Sequence, residues 1–274
     1  MYKQRIAMKK HILLFVLLSA LAGLGLYSCS NSHEDDIILY VPKQIREIGA
    51  DDKTTITYSL AYDLDGRIKS EGSSTLYTAQ LHYDIENMVD SVRITFVTGT
   101  TDSIDRIFTY NASGVNIRQV TFVKDQAPDT TTGIVTLNAQ QLPQSYTMGN
   151  TEERYSYDAD NKLTTIEQYE NSLLTKTHTY GYGSSEYSSI KSPYSEVPFY
   201  PAWYFVVYRH MSPVELATKA SVKQGSQPAE PVYELSEFIL SDLEFITHAT
   251  KTYHESTGTR VVTYRQDYQK VVFD

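Results

Sequence analysis

Few residues in this chain have the types or spacing needed for covalent chemistry. Cys29 is the only cysteine, so no disulfide can close within the chain, and an exported domain built from it is held by its core alone. The seven histidines are scattered. His11 and His33 fall near the N-terminus, and His82, His178, His210, His248 and His254 share no short ligand spacing. On a strand, His248 and His254 lie on one face with Glu255 beside them, which is too little for a metal set. Asp63 and Asp65 are spaced like the opening of a calcium loop. Ile68, Ser70 and Ser74 stand where its later ligands belong, so the segment reads as a plain turn. The carboxylates at Glu152-Glu153 and from Glu234 to Glu244 read as the wet faces of strands, since a glycosidase needs two at a fixed separation in a cleft. There is no Gly-x-Ser-x-Gly elbow, His-Glu-x-x-His or Gly-rich phosphate loop. The sequence therefore predicts a non-enzymatic protein with no cofactor and no metal.

The chemistry that remains is at Cys29. Lys3, Arg5, Lys9 and Lys10 precede an apolar run from Ile12 to Leu26, the two halves of a secretory leader, and the run is shorter than the ~20 residues of a bilayer span. Leu26-Tyr27-Ser28-Cys29 resembles the lipobox of bacterial lipoproteins. That resemblance implies a signal peptide over residues 1–28, removal of this leader, and acylation of the Cys29 sulfur, which anchors the protein to a membrane that it does not span. Residues 29–36 (Cys-Ser-Asn-Ser-His-Glu-Asp-Asp) are polar and acidic and read as a tether. The acidic cluster resembles the surface-export signal of Bacteroidota lipoproteins, which implies the outer membrane with the domain facing the cell surface; the periplasmic face is the alternative. The formal charge of −9 becomes more negative once the basic leader is lost. Such a chain lacks the cationic footprint of a nucleic-acid binder.

The rest of the chain, residues 37–274, reads as a single β domain. It is rich in Tyr, Thr, Val and Ile, with 23 Tyr in all. Period-2 patterning places Ile56, Tyr58, Leu60 and Tyr62 on one face, and Val92, Ile94 and Phe96 likewise. An aromatic residue or Leu followed by Asx recurs at Tyr62-Asp63, Tyr83-Asp84, Tyr110-Asn111, Leu137-Asn138 and Tyr157-Asp158, at about the spacing of one hairpin. Each pair ends a strand and opens an Asx-stabilised turn. Tyr62 to Ile68 (Tyr-Asp-Leu-Asp-Gly-Arg-Ile) resembles the YD-repeat motif, and the chain is similar in style to Bacteroidota outer-membrane lipoproteins of unknown function that carry degenerate copies. The expected fold is mainly β: one large curved antiparallel meander sheet or a partly closed barrel, with one short helix.

That helix is expected over residues 213–220, because Ser212-Pro213-Val214-Glu215 has the form of a capping box with Pro at N1. The aromatic run from Phe199 to Tyr208 has the length of a strand buried on both faces beneath it. Its alternative role is a ligand platform, in which Trp203, Tyr200 and Tyr204, with Tyr194 nearby, stack on a glycan or grip a protein partner. Two other functions stay open: a carrier holding a lipid or apolar ligand in the concave sheet, and a glycan or peptide hydrolase, for which paired acids, or His with an acid, would converge in one cleft.

Overall fold

The computed structural model describes residues 37–51, 55–73, 75–183, 187, 189–243 and 245–273. The leader, Cys29 and the tether lie outside these residues. The strands are β1 (Ile37–Gly49), β2 (Thr55–Tyr62), β3 (Ile68–Ser73), β4 (Tyr77–Tyr83), β5 (Val89–Phe96), β6 (Thr101–Asn111), β7 (Gly114–Val123) and β8 (Asp129–Leu137). They continue with β9 (Pro143–Met148), β10 (Thr151–Tyr157), β11 (Leu163–Glu170), β12 (Leu173–Gly181), β13 (Lys219–Gln224), β14 (Glu230–Leu240), β15 (Ile246–Glu255) and β16 (Gly258–Phe273). Every strand pairs with its sequence neighbours, and β1 meets β16, so the expected meander goes the whole way round into a closed barrel.

The alternation read from the sequence sets which face points inward. Leu60, Ala79, Leu81, Val92, Phe108, Ile117, Val135 and Ile166 are buried inside, Tyr62 and Ile94 pack against them, and Tyr58 packs against a second cluster with Ile45, Leu235 and Ile246. The intervening positions form a polar outer wall of exposed Thr78, Thr95, Thr109 and Arg118. Cross-strand and same-strand ion pairs cover it, with Arg93 on Asp105 at 2.6 Å, Arg154 on Glu152 at 2.7 Å and Arg46 on Asp267 at 2.7 Å.

One end of the barrel is built from a repeated turn. In Tyr62-Asp63 through Ile68, Asp63 Oδ1 accepts the amides of Asp65 and Arg67 at 3.0 and 2.9 Å. Asp84, Asn138 and Asp158 each accept the amides two and four residues on in the same way. The fourth residue after each aromatic or Leu takes positive φ, 73° at Gly66 and 62–63° at Asn87, Gln141 and Asn161, which Gly and Asn tolerate best. The tyrosine ahead of the turn also has a task. Tyr62, Tyr83, Tyr110 and Tyr157 donate their hydroxyls to the carbonyls of Pro42, Ile68, Val89 and Pro143 on the preceding strand. A ring stays inside and its polar tip finds a main-chain acceptor.

Between β12 and β13 the chain leaves the wall and fills the barrel. The filling segment holds the only described helix, α1 (Ala202–Arg209). Two expectations are corrected here. The aromatic run is this helix and not a strand, and residues 213–218 do not form one. Ser212 Oγ does accept the amides of Val214 and Glu215 at 3.3 and 3.5 Å. The next amide, Leu216, donates to Ile190 at 2.9 Å, while Glu215 turns to Ser189 at 2.5 Å and to Lys162 at 3.1 Å. Pairing with residues 190–192 thus captures the groups that a helix would need. Conversely, Trp203 to Val207 are all buried, and a helix apolar on every side is stable only when packed all round.

Asp63→Ala is expected to lower unfolding free energy by about 1–2 kcal/mol, since two turn amides lose their acceptor. Asp63→Asn keeps an acceptor oxygen and should lose less; urea denaturation followed by far-UV circular dichroism compares the three proteins.

Candidate functional site

The residues that sequence reasoning offered as a ligand platform pack against one another around α1. Trp203 meets Phe108 edge-on at 5.2 Å between centroids, Tyr204 meets Tyr200 at 5.5 Å and Tyr208 at 4.8 Å, and Tyr194 meets Phe205 at 4.4 Å and stacks on Tyr200 at 6.2 Å. Trp203 and Tyr204 are 3% and 2% exposed. The rings thus take the packing role that the sequence left open beside the platform, and burial raises the pKa of Tyr194, Tyr200 and Tyr204. Such edge-on ring pairs add to the area that they bury. The Tyr200 hydroxyl is buried without a partner.

The polar chemistry lies at the other end of the helix. Arg209 pairs with buried Glu71 and donates to the Tyr77 hydroxyl at 2.7 Å. His210 closes the helix in the left-handed region at φ 51°, its amide on the Val206 carbonyl, a conformation uncommon for a residue with a β-carbon. Its Nε2 lies 3.3 Å from Glu153 Oε2. Glu153 also accepts the Tyr155 hydroxyl at 2.5 Å and the Gln168 amide at 2.8 Å. His178 stands behind, 6.1 Å from the His210 ring between centroids and 3.4 Å from Gln168 Oε1.

Arg209, His210 and His178 border a partly open cavity of about 270 Å³, whose walls also include Tyr180, Tyr233, Lys251 and Tyr264, with Met211, Leu216 and Leu235 as apolar lining. Lys251 is held by Glu47 at 2.8 Å and lies 5.0 Å from the Tyr233 ring and 5.6 Å from that of Tyr264. Each basic side chain of the cavity thus has its own carboxylate partner: Glu71 for Arg209, Glu153 for His210 and Glu47 for Lys251. Among the described residues no cluster of His, Cys, Asp and Glu could hold a metal ion.

The sequence reading missed this set. Glu153 was assigned with Glu152 to the wet face, yet only Glu152 faces out. Alternation carried the signal, since Tyr155 and Tyr157 share the parity of Glu153. His248 and His254 lie on β15 with the parity of Thr250 and Thr252, which faces outward and away from the cavity. Asp63 serves the turn, with its second oxygen on Arg67 Nε at 2.7 Å.

No protein-family model and no curated protein matches the chain. Solved structures do resemble it. A porin-like protein from Bacteroides uniformis ATCC 8492 is 17% identical, with 82% of this chain and 96% of that chain covered at a TM-score of 0.50. A second, from Bacteroides vulgatus ATCC 8482, is 11% identical, with 84% and 99% covered and a TM-score of 0.44. At such identity the likeness to the first shows the barrel fold.

Burial lowers the pKa of His178 below the ordinary 6.5 of an imidazole, and the neighbouring imidazole of His210 adds to the effect. Burial pushes the Glu153 carboxyl up, but His210, Tyr155 and Gln168 outweigh it and hold it below 4.5. In both cases the unfolded chain binds more protons over the affected range, so stability falls with acid. The loss should begin below about pH 6.5 for His178 and below about 4.5 for Glu153. Thermal melts from pH 7.5 to 3.5 are expected to show both steps, and His178→Gln should remove only the upper one. Trp203→Ala should cost about 3–5 kcal/mol by opening a core cavity; an unchanged melting temperature would contradict its place in the interior.

Proposed function

We propose that this protein is a non-catalytic binding module, tethered through acylated Cys29 to the outer membrane at the cell surface, whose Tyr-Asx turns are degenerate YD repeats. One observation carries the reading: the barrel is apolar inside and polar outside. A transmembrane barrel has the reverse arrangement, an apolar band toward lipid and a polar lumen. The exposed aliphatics of the wall, such as Ile107 and Ile134, sit singly among Thr, Asn and Arg, since Ile107 faces Arg118 and Ile134 faces Asn116 across the strands. The described residues between β12 and β13, α1 among them, occupy the lumen. A barrel of this construction stands in water and conducts nothing, which suits an acyl anchor and a hydrophilic tether.

The cavity is the seat that this reading gives to a ligand. Its Arg209 and Lys251 are already paired with Glu71 and Glu47, so the site favours an uncharged, hydroxyl-bearing molecule. The rings of Tyr180, Tyr233 and Tyr264 suit the face of a sugar, and a volume just under the usual 300 Å³ lower range of ligand pockets fits about one ring. A lipid carrier is disfavoured because α1 fills the space that an acyl chain would take.

Hydrolysis is the second reading, favoured by one observation: His210 and Glu153 converge beside the cavity as a His with an acid. Both Glu153 oxygens are committed to other donors and no nucleophile stands beside His210, so the pair serves better as a strut that orients the ring.

The mature chain with Cys29→Ser is expected to leave the membrane fraction, stay folded in detergent-free buffer and produce no conductance in planar bilayers, while the unaltered protein stays with membranes. Ion channels formed by the purified barrel, or a need for detergent to keep it in solution, would overturn the reading.

A further inference from the structure

The two ends of the barrel differ in a way that the wall does not explain. At the end made by the Asx turns, the residue after the Asx is apolar at Leu64, Ile85, Ala112, Ala139 and Ala159, and all of these are exposed. Leu64 and Ile85 are 104% and 100% exposed, more than any packing role allows. Neither belongs to a floppy tip. Their turns are each closed by two amide bonds to one Asx oxygen, and Arg67 Nη1 joins the two at 2.6 Å on Asn87 Oδ1. Phe199 adds a third exposed apolar group, 50% accessible and held at φ 61° between Pro198 and Pro201. The plug reaches the same end there, since Glu196 accepts the Tyr40 amide at 3.4 Å and Lys191 lies 5.4 Å from the ring of Phe245, in the β14–β15 turn. The opposite end is mainly polar, with Lys124-Asp125-Gln126, Asn150, Asn171-Ser172 and Gly225-Ser226-Gln227 at its tips, although Leu76, Val97 and Leu173 are also exposed there.

The chain itself enters at the apolar end. β1 runs antiparallel to β2, with Ile48 opposite Thr55 and Gln44 opposite Ser59, so its first residues lie beside Tyr62, whose hydroxyl reaches the Pro42 carbonyl. Residues 29–36 span at most about 26–29 Å when fully extended.

We propose that the Asx-turn end is a membrane-contact surface. Leu64, Ile85 and Phe199 rest in the headgroup region of the bilayer that holds the anchor, and the polar end faces away. The inference rests on the reading of Cys29 as acylated. The tether is short enough to keep this end within reach of the lipid, and a few fixed apolar groups can bury about 5–10 Å into the headgroup boundary. Asp65, Glu86 and Asp160 on the same turns favour a zwitterionic surface over an anionic one. The barrel would stand upright on its turns, with its outer wall in water.

Acylation consumes the only native thiol, so a reporter can be placed at will. Acylated protein with Leu64→Cys, Ile85→Cys or Gln126→Cys, labelled with an environment-sensitive nitrobenzoxadiazole dye, is reconstituted into vesicles of phosphatidylcholine and phosphatidylethanolamine containing nitroxide-labelled lipid. Co-flotation with the vesicles reads the anchor, and dye emission reads the orientation. The expected result is flotation of all three, with a blue shift and several-fold stronger quenching at positions 64 and 85 than at 126. Flotation with equal quenching at all three positions would overturn the contact surface and leave the anchor standing. Failure of the acyl-processed protein to float would remove the anchor and the contact surface with it.

Discussion

A barrel of sixteen strands encloses more space than the side chains of its wall can fill, and wider barrels of that size ordinarily hold water. Here the inward positions are Leu60, Leu81, Val92, Ile117, Val135 and Ile166, which water cannot satisfy. The interior has to be filled by apolar matter, and the chain supplies it from the described residues between β12 and β13, above all from α1. This constraint explains why α1 exists. Its residues Trp-Tyr-Phe-Val-Val-Tyr are aromatic and β-branched, poor helix formers on their own, and no side chain caps its N-terminus at Pro201. Packing on every side outweighs those local preferences.

The same constraint marks what could be read from the residues alone. Alternation at Ile56 to Tyr62 and at Val92 to Phe96 showed which side chains share a face, and Tyr-Asx followed by Gly or Asn showed where the strands turn. Both are local signals with a local cause. Closure is a non-local event, and the strands on either side of the final seam, β1 and β16, come from opposite ends of the domain. The helix was placed some ten residues late because Ser212-Pro213-Val214-Glu215 carries a genuine capping pattern. Ser212 does bond the following amides, but the extended pairing of residues 190–192 with 214–216 competes for Leu216 and wins. Glu153 was missed for a related reason: charge suggested solvent, while its parity with Tyr155 pointed inward.

The tyrosines resolve a tension that an apolar interior creates at its rim. The last inward residue of each strand must cover the core and also meet the unsatisfied carbonyl groups where the sheet begins to open. Tyr62, Tyr83, Tyr110 and Tyr157 do both, with rings in the core and hydroxyls on Pro42, Ile68, Val89 and Pro143. Tyr182 does the same for Leu163 at 2.5 Å, one residue beyond β12. Phenylalanine would cover the core equally well and lose each of these hydrogen bonds. Five of the chain's 23 tyrosines are thus a consequence of how one end of the barrel is closed.

The plug also brings charge into a compartment that would be simpler to fill with hydrocarbon. A buried ion pair is a weak source of stability, because desolvation offsets most of its attraction, and an apolar replacement of similar volume is often neutral or better. Arg209 with Glu71, Lys251 with Glu47 and His210 with Glu153 therefore need another reason to be where they are. All three basic side chains border one cavity, and each carboxylate comes from the wall, on β3, β1 and β10. Arg209 and His210 fix the plug to two separate parts of the barrel, Lys251 on β15 pairs with β1 within the wall, and the basic tips and the rings of Tyr233 and Tyr264 are left around a common space. Filling alone does not require this arrangement; the proposed binding role would use it, because groups held rigid before a ligand arrives lose little freedom when it binds.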